Sequence, residues 1–351
     1  MEQKSIQFTN LDDLVQTEKS ALFKIELDLN MNNMNAQQLN DLQSQLQQCT
    51  ELQSLIIKNQ YFNLEDNQLK VLIENLPKFK NLNSLKLFIQ GNKITDEGAD
   101  QIGLALSNCQ QLKTVYLQLE NNQISNNGVK SILSALNNCS LIESLELLIS
   151  LNQINGEALE EMSLWKNCNS LTYLKLNAYS NQICEKGVIS MATGIGKCTL
   201  LTSLVLSIFE NRFGEEGASA LGQCLSKLKN LTSLILYIDA NNIGDKGISD
   251  LCIGLSSCIQ LQNLKLSIYN NNITDEGYLK VDQCLSSLPK LSQLECFFSG
   301  SEKLLKSREL LNCRNIRVLF LCLYYCDDEK NKKEHIKNAR KIKRLVELKS
   351  N

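Results

Sequence analysis

The sequence is nearly devoid of histidine, proline and tryptophan, and these shortages exclude several classes of protein. His335 is the one histidine among 351 residues, so histidine-based zinc sites and Ser-His-Asp or Cys-His catalysis lack their central residue. Two prolines and 16 glycines argue against a fibrous or loop-rich chain. The formal net charge of -2 argues against a basic nucleic-acid binder, and no nucleic-acid partner is expected.

Long apolar runs and targeting signals are missing as well. The longest apolar stretch, around residues 318–325, has the length of a strand, whereas a membrane-spanning helix needs about 18 apolar residues or more. The opening residues, MEQKSIQFTNLDDL, lack the apolar centre of a signal peptide. Fourteen cysteines are too sparse for a disulfide scaffold. We therefore expect no membrane span and a reducing location in the cytoplasm, with the nucleus as the alternative.

The sequence also lacks the motifs that carry common catalytic chemistry. It contains no GxxxxGK[ST] phosphate loop, no GxSxG and no HExxH. Acidic pairs such as Glu215 and Glu216 are adjacent at predicted helix starts, which suits helix capping better than general acid–base catalysis. We expect a protein that is not an enzyme and that has no cofactor and no metal site.

What the sequence does contain is a repeat of about 30 residues, anchored by one leucine or isoleucine per unit. The side chains three, five and seven positions after each anchor are aliphatic, as in Leu85, Leu87 and Ile89, and an asparagine such as Asn92 follows at position ten. A cysteine such as Cys109 often stands at position 27. The anchors are Leu22, Leu52, Leu82, Leu112, Ile142, Leu171, Leu201, Leu231, Leu261 and Leu291.

Each part of the unit predicts a local structure. Aliphatic residues at alternate positions lie on one face of a strand, and apolar positions 20, 24 and 27 form one stripe of a helix. The asparagine stands where the chain leaves the strand, and its amide can satisfy the backbone of the turn and of the next unit. The cysteines at position 27 are interpreted as small buried hydrophobic residues. One unit cannot bury its own apolar face, so neighbouring units must stack.

This pattern resembles the leucine-rich-repeat superfamily, and in it the long-repeat branch typified by ribonuclease inhibitor and Ran GTPase-activating protein. The segments LNSLKLFIQGNKITDEGADQIGLALSNCQQ and LTSLILYIDANNIGDKGISDLCIGLSSCIQ carry the resemblance. It implies an α/β solenoid, a horseshoe with parallel inner strands and outer helices, of about ten to eleven repeats. One departure is an extra aliphatic position before the asparagine, which predicts a strand lengthened by about one side-chain pair.

The repeat boundaries predict three segments. Residues 1–21 form an N-terminal cap, residues 22–315 form the repeat array with a degenerate last unit, and residues 316–351 form a cap strand followed by a basic amphipathic helix. The fifth unit is one residue short and carries Trp165, which predicts a distorted helix. The last strand is apolar on both faces at a sheet edge, so weak self-association through it is a further hypothesis.

The basic C-terminal segment is a second candidate surface, formed by Lys337, Arg340, Lys341 and Arg344. Its simplest interpretation is a helix that caps the last strand. The alternatives are a docking surface for an acidic protein, or contact with nucleic acid or an anionic membrane surface.

Side chains that alternate with the buried strand positions point out of the predicted concave face. They have no part in the core, and several are aromatic or aliphatic, which is typical of anchors in a protein interface. The alternative to a protein interface is a lengthened strand whose outward face merely tolerates apolar residues. The candidate partner-binding residues are Phe88, Tyr116, Tyr179, Val205, Phe209, Ile235, Tyr237 and Tyr269.

The sequence thus predicts a non-catalytic protein-interaction scaffold or regulatory module, with a protein partner that the sequence does not identify. The alternative is a GTPase-activating or GTPase-regulating protein, which the resemblance to Ran GTPase-activating protein implies. Such a regulator can supply an arginine to phosphoryl transfer. Arg212 is the one arginine in the first 300 residues.

Overall fold

The structure is a computed structural model that describes residues 4–8, 14, 16, 18–19, 22–29, 35–299, 315–324 and 347–349. It divides into two compact units, Met1–Leu171 and Thr172–Asn351. In each unit strands alternate with helices along the chain, and the described strand pairs are parallel. The predicted α/β architecture of stacked strand–helix repeats is therefore confirmed.

The first unit has one sheet with its strands in chain order. The strands are β1 (Lys4–Phe8), β2 (Leu22–Asp28), β3 (Ser54–Lys58), β4 (Ser84–Phe88), β5 (Thr114–Gln118) and β6 (Ser144–Leu148). The helices are α1 (Ala36–Leu46), α2 (Asp66–Ile73), α3 (Asp96–Ser107) and α4 (Asn126–Asn138), with 3-10 helices at Leu76–Lys78 and Gly156–Leu164. Strand β1 lies within the segment predicted as a cap, and it extends the sheet by pairing with β2.

The second unit repeats this arrangement, again with the strands in chain order. Its strands are β7 (Tyr173–Asn177), β8 (Ser203–Ser207), β9 (Ser233–Tyr237), β10 (Asn263–Ser267), β11 (Gln293–Ser299), β12 (Val318–Tyr324) and β13 (Glu347–Lys349). Its described helices are α5 (Glu185–Ile195), α6 (Gly214–Lys227), α7 (Gly244–Ser256) and α8 (Asp275–Ser287).

The C-terminal end departs from the sequence prediction. Glu347–Lys349 form strand β13, where the end of a basic helix was predicted, and β13 pairs in parallel with β12 from Val318 to Phe320. Pairing satisfies backbone groups that an edge strand leaves open, so that part of the β12 edge is not available for the predicted self-association. The predicted basic surface, Lys337, Arg340, Lys341 and Arg344, lies outside the described residues.

The buried faces follow the predicted alternation. In β4 the side chains of Leu85 and Leu87 are fully buried, and so is Ile89 just after the strand. The cysteines at position 27 are buried and free, and burial raises the pKa of the Cys109 thiol to about 12 and that of Cys139 to about 11. A thiol that stays protonated is a poor nucleophile and metal ligand, which fits the predicted packing role.

The predicted asparagine ladder is present in both units. In the second unit, the Asn241 amide Nδ2 donates to the carbonyls of Ile208, Ile238 and Asp239, each at 3.0 Å. Its Oδ1 accepts from the backbone N–H of Asn211 at 2.8 Å. One side chain therefore satisfies four backbone groups in two neighbouring repeats, which an apolar residue cannot do.

A second ladder of side chains joins the helix N-termini. The Asp96 carboxylate accepts from the backbone N–H and the hydroxyl of Ser125, at 2.7 and 2.5 Å. Asp245 does the same for Thr274 in the second unit, at 2.8 and 2.5 Å. Each acidic residue lies in the first turn of its own helix and also fixes the N-cap residue of the next one. The acidic residues predicted as helix caps thus link successive repeats as well.

The short fifth repeat is distorted, as its length predicts. Residues Gly156–Leu164 form a 3-10 helix in place of an α-helix, because a tighter helix spans the same distance with fewer residues. Trp165 follows it, is 4% exposed, and lines a small cavity together with Cys139 and Cys168.

The turns after β3 to β10 each place a residue in the left-handed region. Leu151 has φ 56° there, whereas the equivalent position of the third repeat is Gly91 with φ 67°. We expect Leu151→Gly to be neutral or to stabilise the fold by up to about 1 kcal/mol, because leucine is strained in this conformation and glycine is not. Leu151 is 47% exposed and loses little packing.

Urea unfolding of the wild type and of the Leu151→Gly variant measures this difference in the free energy of unfolding. The matched control is Leu141→Gly, at a leucine that is 39% exposed and does not have a positive φ. That control is expected to lose stability. Glycine raises the conformational entropy of the unfolded chain, and at position 141 it relieves no backbone strain in the folded state. Equal losses in the two variants would contradict the assignment of strain to the turn.

Candidate protein-binding surface

Five of the eight candidate partner-binding residues lie on strands, on the sheet faces opposite the buried leucines. The other three lie two positions beyond the ends of β7, β8 and β10, namely Tyr179, Phe209 and Tyr269. The side chains of all eight are partly exposed, as the alternation along each strand requires. The structure divides them into two groups. Phe88 and Tyr116 belong to the first unit, and the other six belong to the second unit.

The two candidates of the first unit form a stacked aromatic pair. The ring centroids of Phe88 and Tyr116 are 4.6 Å apart, on the neighbouring strands β4 and β5. Lys58 Nζ lies 5.9 Å from the Phe88 centroid and forms an ion pair with Glu26 at 2.5 Å. Beside this pair, amide side chains form hydrogen bonds to one another, such as Gln60 to Gln118 at 3.3 Å. The face of the first unit is therefore mostly polar.

The second unit carries the more apolar face. Tyr179 and Phe209 stack with their centroids 4.4 Å apart and their planes within 7° of parallel. Val205 and Ile235 are direct partners in the register of β8 and β9. Tyr237 lies on the same face of β9, two residues beyond Ile235.

The structure adds three residues that were not predicted as binding residues. Lys265 Nζ lies 5.6 Å from the Tyr237 centroid and 5.2 Å from the Phe297 centroid, and it pairs with Glu295 at 3.0 Å. Burial lowers the pKa of Lys265, but hydrogen bonds to Glu295 and Tyr237 outweigh that effect and raise it above its usual value. The repeat pattern does not predict Phe297 as a binding residue because the tenth repeat lacks its asparagine turn, although the alternation LECFF places this side chain outward.

These observations define one continuous surface, which we call the aromatic strip. It runs along the ends of strands β7 to β11 and the residues just beyond them, where neighbouring strands lie about 4.8 Å apart. The row that contains Tyr237 alternates small and large residues, since Ser207 and Ser267 are its register partners on either side. The aromatic strip consists of Tyr179, Phe209, Tyr237, Tyr269 and Phe297.

One carboxylate lies inside the aromatic strip. Asp239 Oδ1 accepts from the Ser267 hydroxyl at 2.6 Å and from the Tyr269 backbone N–H at 2.7 Å. Burial raises the pKa of this carboxyl above its usual value, although those hydrogen bonds act in the opposite direction. The ion pairs of the described residues do not include Asp239.

This raised pKa predicts how Asp239→Asn changes stability with pH. The unfolded state ionises first as the pH rises above the ordinary carboxyl pKa, so the folded state loses stability until the pH passes the pKa of the folded state. Asparagine keeps an acceptor oxygen and carries no charge. We therefore expect the variant to be more stable than the wild type at pH 7, with a gain that shrinks as the pH falls toward 4. Thermal unfolding over this pH range measures it, and a variant less stable at pH 7 would contradict the account.

The turns beyond the strands of the second unit form a polar groove of about 870 Å³. Arg212, Asn242 and Asn270 line it, and Arg212 is exposed with φ 54°. The alternative function that the sequence suggests depends on this arginine.

Metal sites and membrane-spanning helices are absent from the part of the chain that the structure describes. That part holds no group of three or more histidine, cysteine or acidic side chains that could bind a metal ion. It also contains no helix with the length and apolar character needed to cross a membrane.

Comparison with known proteins agrees with the repeat pattern. The sequence model of the Leucine Rich repeat family matches residues 81–103 and 115–133. This match covers two segments of the first unit, and it agrees with the leucine-rich-repeat resemblance that the repeat pattern predicts. The ribonuclease-inhibitor-like branch stays a prediction.

The comparison with curated proteins and solved structures adds little to this. No curated protein matches the chain, whereas 105 chains of solved structures do. One is from the crystal structure of the Rad7 and Elc1 complex in yeast, at 14% identity and a TM-score of 0.46, over 93% of this chain and 79% of that one.

Proposed function

We propose that this chain is a non-catalytic interaction module that binds a protein partner on the aromatic strip of its second unit. The observation that carries the proposal is the group of partly exposed aromatic rings on an otherwise well-packed sheet, with Val205 and Ile235 beside them. Aromatic side chains on rigid strands lose little conformational entropy on binding, and they dominate the energy of many interfaces.

The backbone of the sheet supports the same proposal. Strands β8, β9 and β10 each have a hydrogen-bonded neighbour on both sides, so a partner cannot join them as an added strand. A partner on this face must bind through side chains. The aromatic rings offer it apolar contacts, and the small residues between them leave shallow pockets for its own side chains. In the first unit the same face is occupied by amides and an ion pair that already satisfy one another.

Chemical protection of tyrosines tests this proposal. The partner is captured from cells that express the chain, purified, and added in excess before tyrosine acetylation with N-acetylimidazole. We expect protection of Tyr179, Tyr237 and Tyr269, while Tyr61 of the first unit, 64% exposed, stays reactive. Protection of Tyr61 with an unprotected aromatic strip would reject this surface as the binding site.

The second candidate function is regulation of a small GTPase by Arg212. Its support is the exposure of this side chain at the rim of the polar groove. An arginine supplied to phosphoryl transfer raises the rate by roughly 10³ to 10⁵. Stimulated GTP hydrolysis across a panel of small GTPases, lost in Arg212→Ala, would establish this function. The absence of any stimulation by the wild type would remove it.

A location in the cytoplasm belongs to the same proposal. Buried free cysteines such as Cys109 and Cys139 suit a reducing cytoplasm. Fluorescent tagging of the chain in its own cells tests the location, and exclusive secretion would overturn it.

A further inference from the structure

The aromatic strip already contains one complete lysine site, built from its own residues. Tyr237 lies on β9 and Phe297 on β11, and both are register partners of Ser267 on the strand between them. Two rings separated by two strands are about 9.6 Å apart at the backbone. Lys265 Nζ lies between them, 5.6 and 5.2 Å from their centroids, with the Glu295 carboxylate at 3.0 Å. The ammonium group thus has a ring on two sides and a carboxylate as its counter-ion.

The neighbouring row of the aromatic strip has the same components without the lysine. Phe209, Asp239 and Tyr269 lie level with one another, just beyond the ends of β8, β9 and β10. Two backbone bonds set this alignment, from the Glu210 N–H to the Asp239 carbonyl (3.0 Å) and from the Ala240 N–H to the Tyr269 carbonyl (2.9 Å). Phe209 and Tyr269 are therefore also two strands apart. A carboxylate lies between them, and Phe209 has one ring face against Tyr179.

No cation among the described residues balances the charge at this place. Asp239 is partly buried, and the ion pairs of that part of the chain leave it out. A partner that covers it without supplying a cation must desolvate a carboxylate further, which is costly. A partner with a lysine at this position gains both the counter-ion and the two aromatic contacts.

We infer that the space between Phe209 and Tyr269 above Asp239 is a binding site for a lysine side chain of the protein partner. The inference rests on the proposed function, and it adds the chemistry by which the partner is recognised. The internal Lys265 site shows that two rings at this separation accept an ammonium group. The complementary charge of Asp239 selects a cation over an apolar side chain.

The test uses n-butylammonium chloride as a probe of the lysine side chain, at constant ionic strength, with NMR of ring-labelled phenylalanine and tyrosine. In the wild type we expect saturable shifts at Phe209 and Tyr269 and none at Tyr237 and Phe297, where Lys265 already occupies the site. In Lys265→Met we expect all four rings to respond, because the substitution also empties the site between Tyr237 and Phe297. Asp239→Asn should weaken the response of Phe209 and Tyr269 at least about fivefold.

A neutral probe of the same shape, 1-butanol, separates charge recognition from apolar contact. The inference is overturned if Phe209 and Tyr269 do not respond up to about 50 mM butylammonium. It is also overturned if butanol gives the same shifts, or if Asp239→Asn binds as well as the wild type. If the probe fails while substitutions in the aromatic strip still abolish partner binding, the lysine site is wrong and the proposed function stands.

Discussion

Replacing two rings of the aromatic strip, Phe209→Ala together with Tyr237→Ala, is expected to weaken partner binding at least about 100-fold. Each ring belongs to a buried contact in the proposed complex, and truncation of such an anchor costs about 2 kcal/mol or more. Phe209 also stacks on Tyr179, and Tyr237 is one of the two rings around Lys265. The double variant therefore removes one ring from the Phe209–Tyr269 site and one ring from the Lys265 site. Titration calorimetry with the purified partner measures the loss.

The matched control is the double variant Phe88→Ala and Tyr116→Ala in the first unit. These two rings form a similar stack on the same kind of sheet face, with centroids 4.6 Å apart. The control is expected to keep its affinity within about threefold. A control that loses as much affinity as the first variant would show that the partner is not specific for the aromatic strip.

The largest loss of stability is expected from Asn241→Ala, which should cost about 3 kcal/mol or more. The Asn241 side chain is fully buried. Its removal leaves the N–H of Asn211 without its partner. It also takes one of two amide donors from each of the Ile208 and Ile238 carbonyls, which still accept from Asn211 and Asn271. A buried backbone group without a partner loses the hydrogen bonds that it makes with water in the unfolded chain. Denaturant unfolding monitored by circular dichroism measures the difference.

The control for this prediction is Asn230→Ala. Asn230 is exposed and donates one hydrogen bond, to the Thr199 carbonyl at 3.0 Å. Water can replace that bond, so the variant should lose about 0.5 kcal/mol or less. If both asparagines cost the same, the ladder does not have the structural role assigned to it.

The repeat architecture was predictable because one short pattern recurs with little change. Alternating leucines such as Leu85 and Leu87 fixed the strands and their buried faces, and Asn92 marked the turn. Strand β1 was not predicted, since it precedes the first anchor and has no repeat to be aligned with. The strand at Glu347–Lys349 was missed for a different reason. The helical periodicity of this basic segment predicts a helix, but the open edge of β12 offers backbone pairing to any nearby segment.

The candidate surface was predictable only in part. Alternation along each strand correctly assigned Tyr237 and Phe209 to the outward face, because that depends on local geometry alone. The contacts between repeats were not predictable from single positions. The location of Lys265 between Tyr237 and Phe297, and the burial of Asp239, depend on which residues stand side by side in the register of three strands.

Site-specific photo-cross-linking tests the central claim most directly. A photoreactive amino acid placed at Ser207 lies within the aromatic strip, and one placed at Ile253 lies on α7, where the native side chain is 68% exposed. The account predicts that the partner cross-links from position 207 and not from position 253. Cross-linking from position 253 alone would mean that the partner binds the helical side of the second unit, and the account would be wrong.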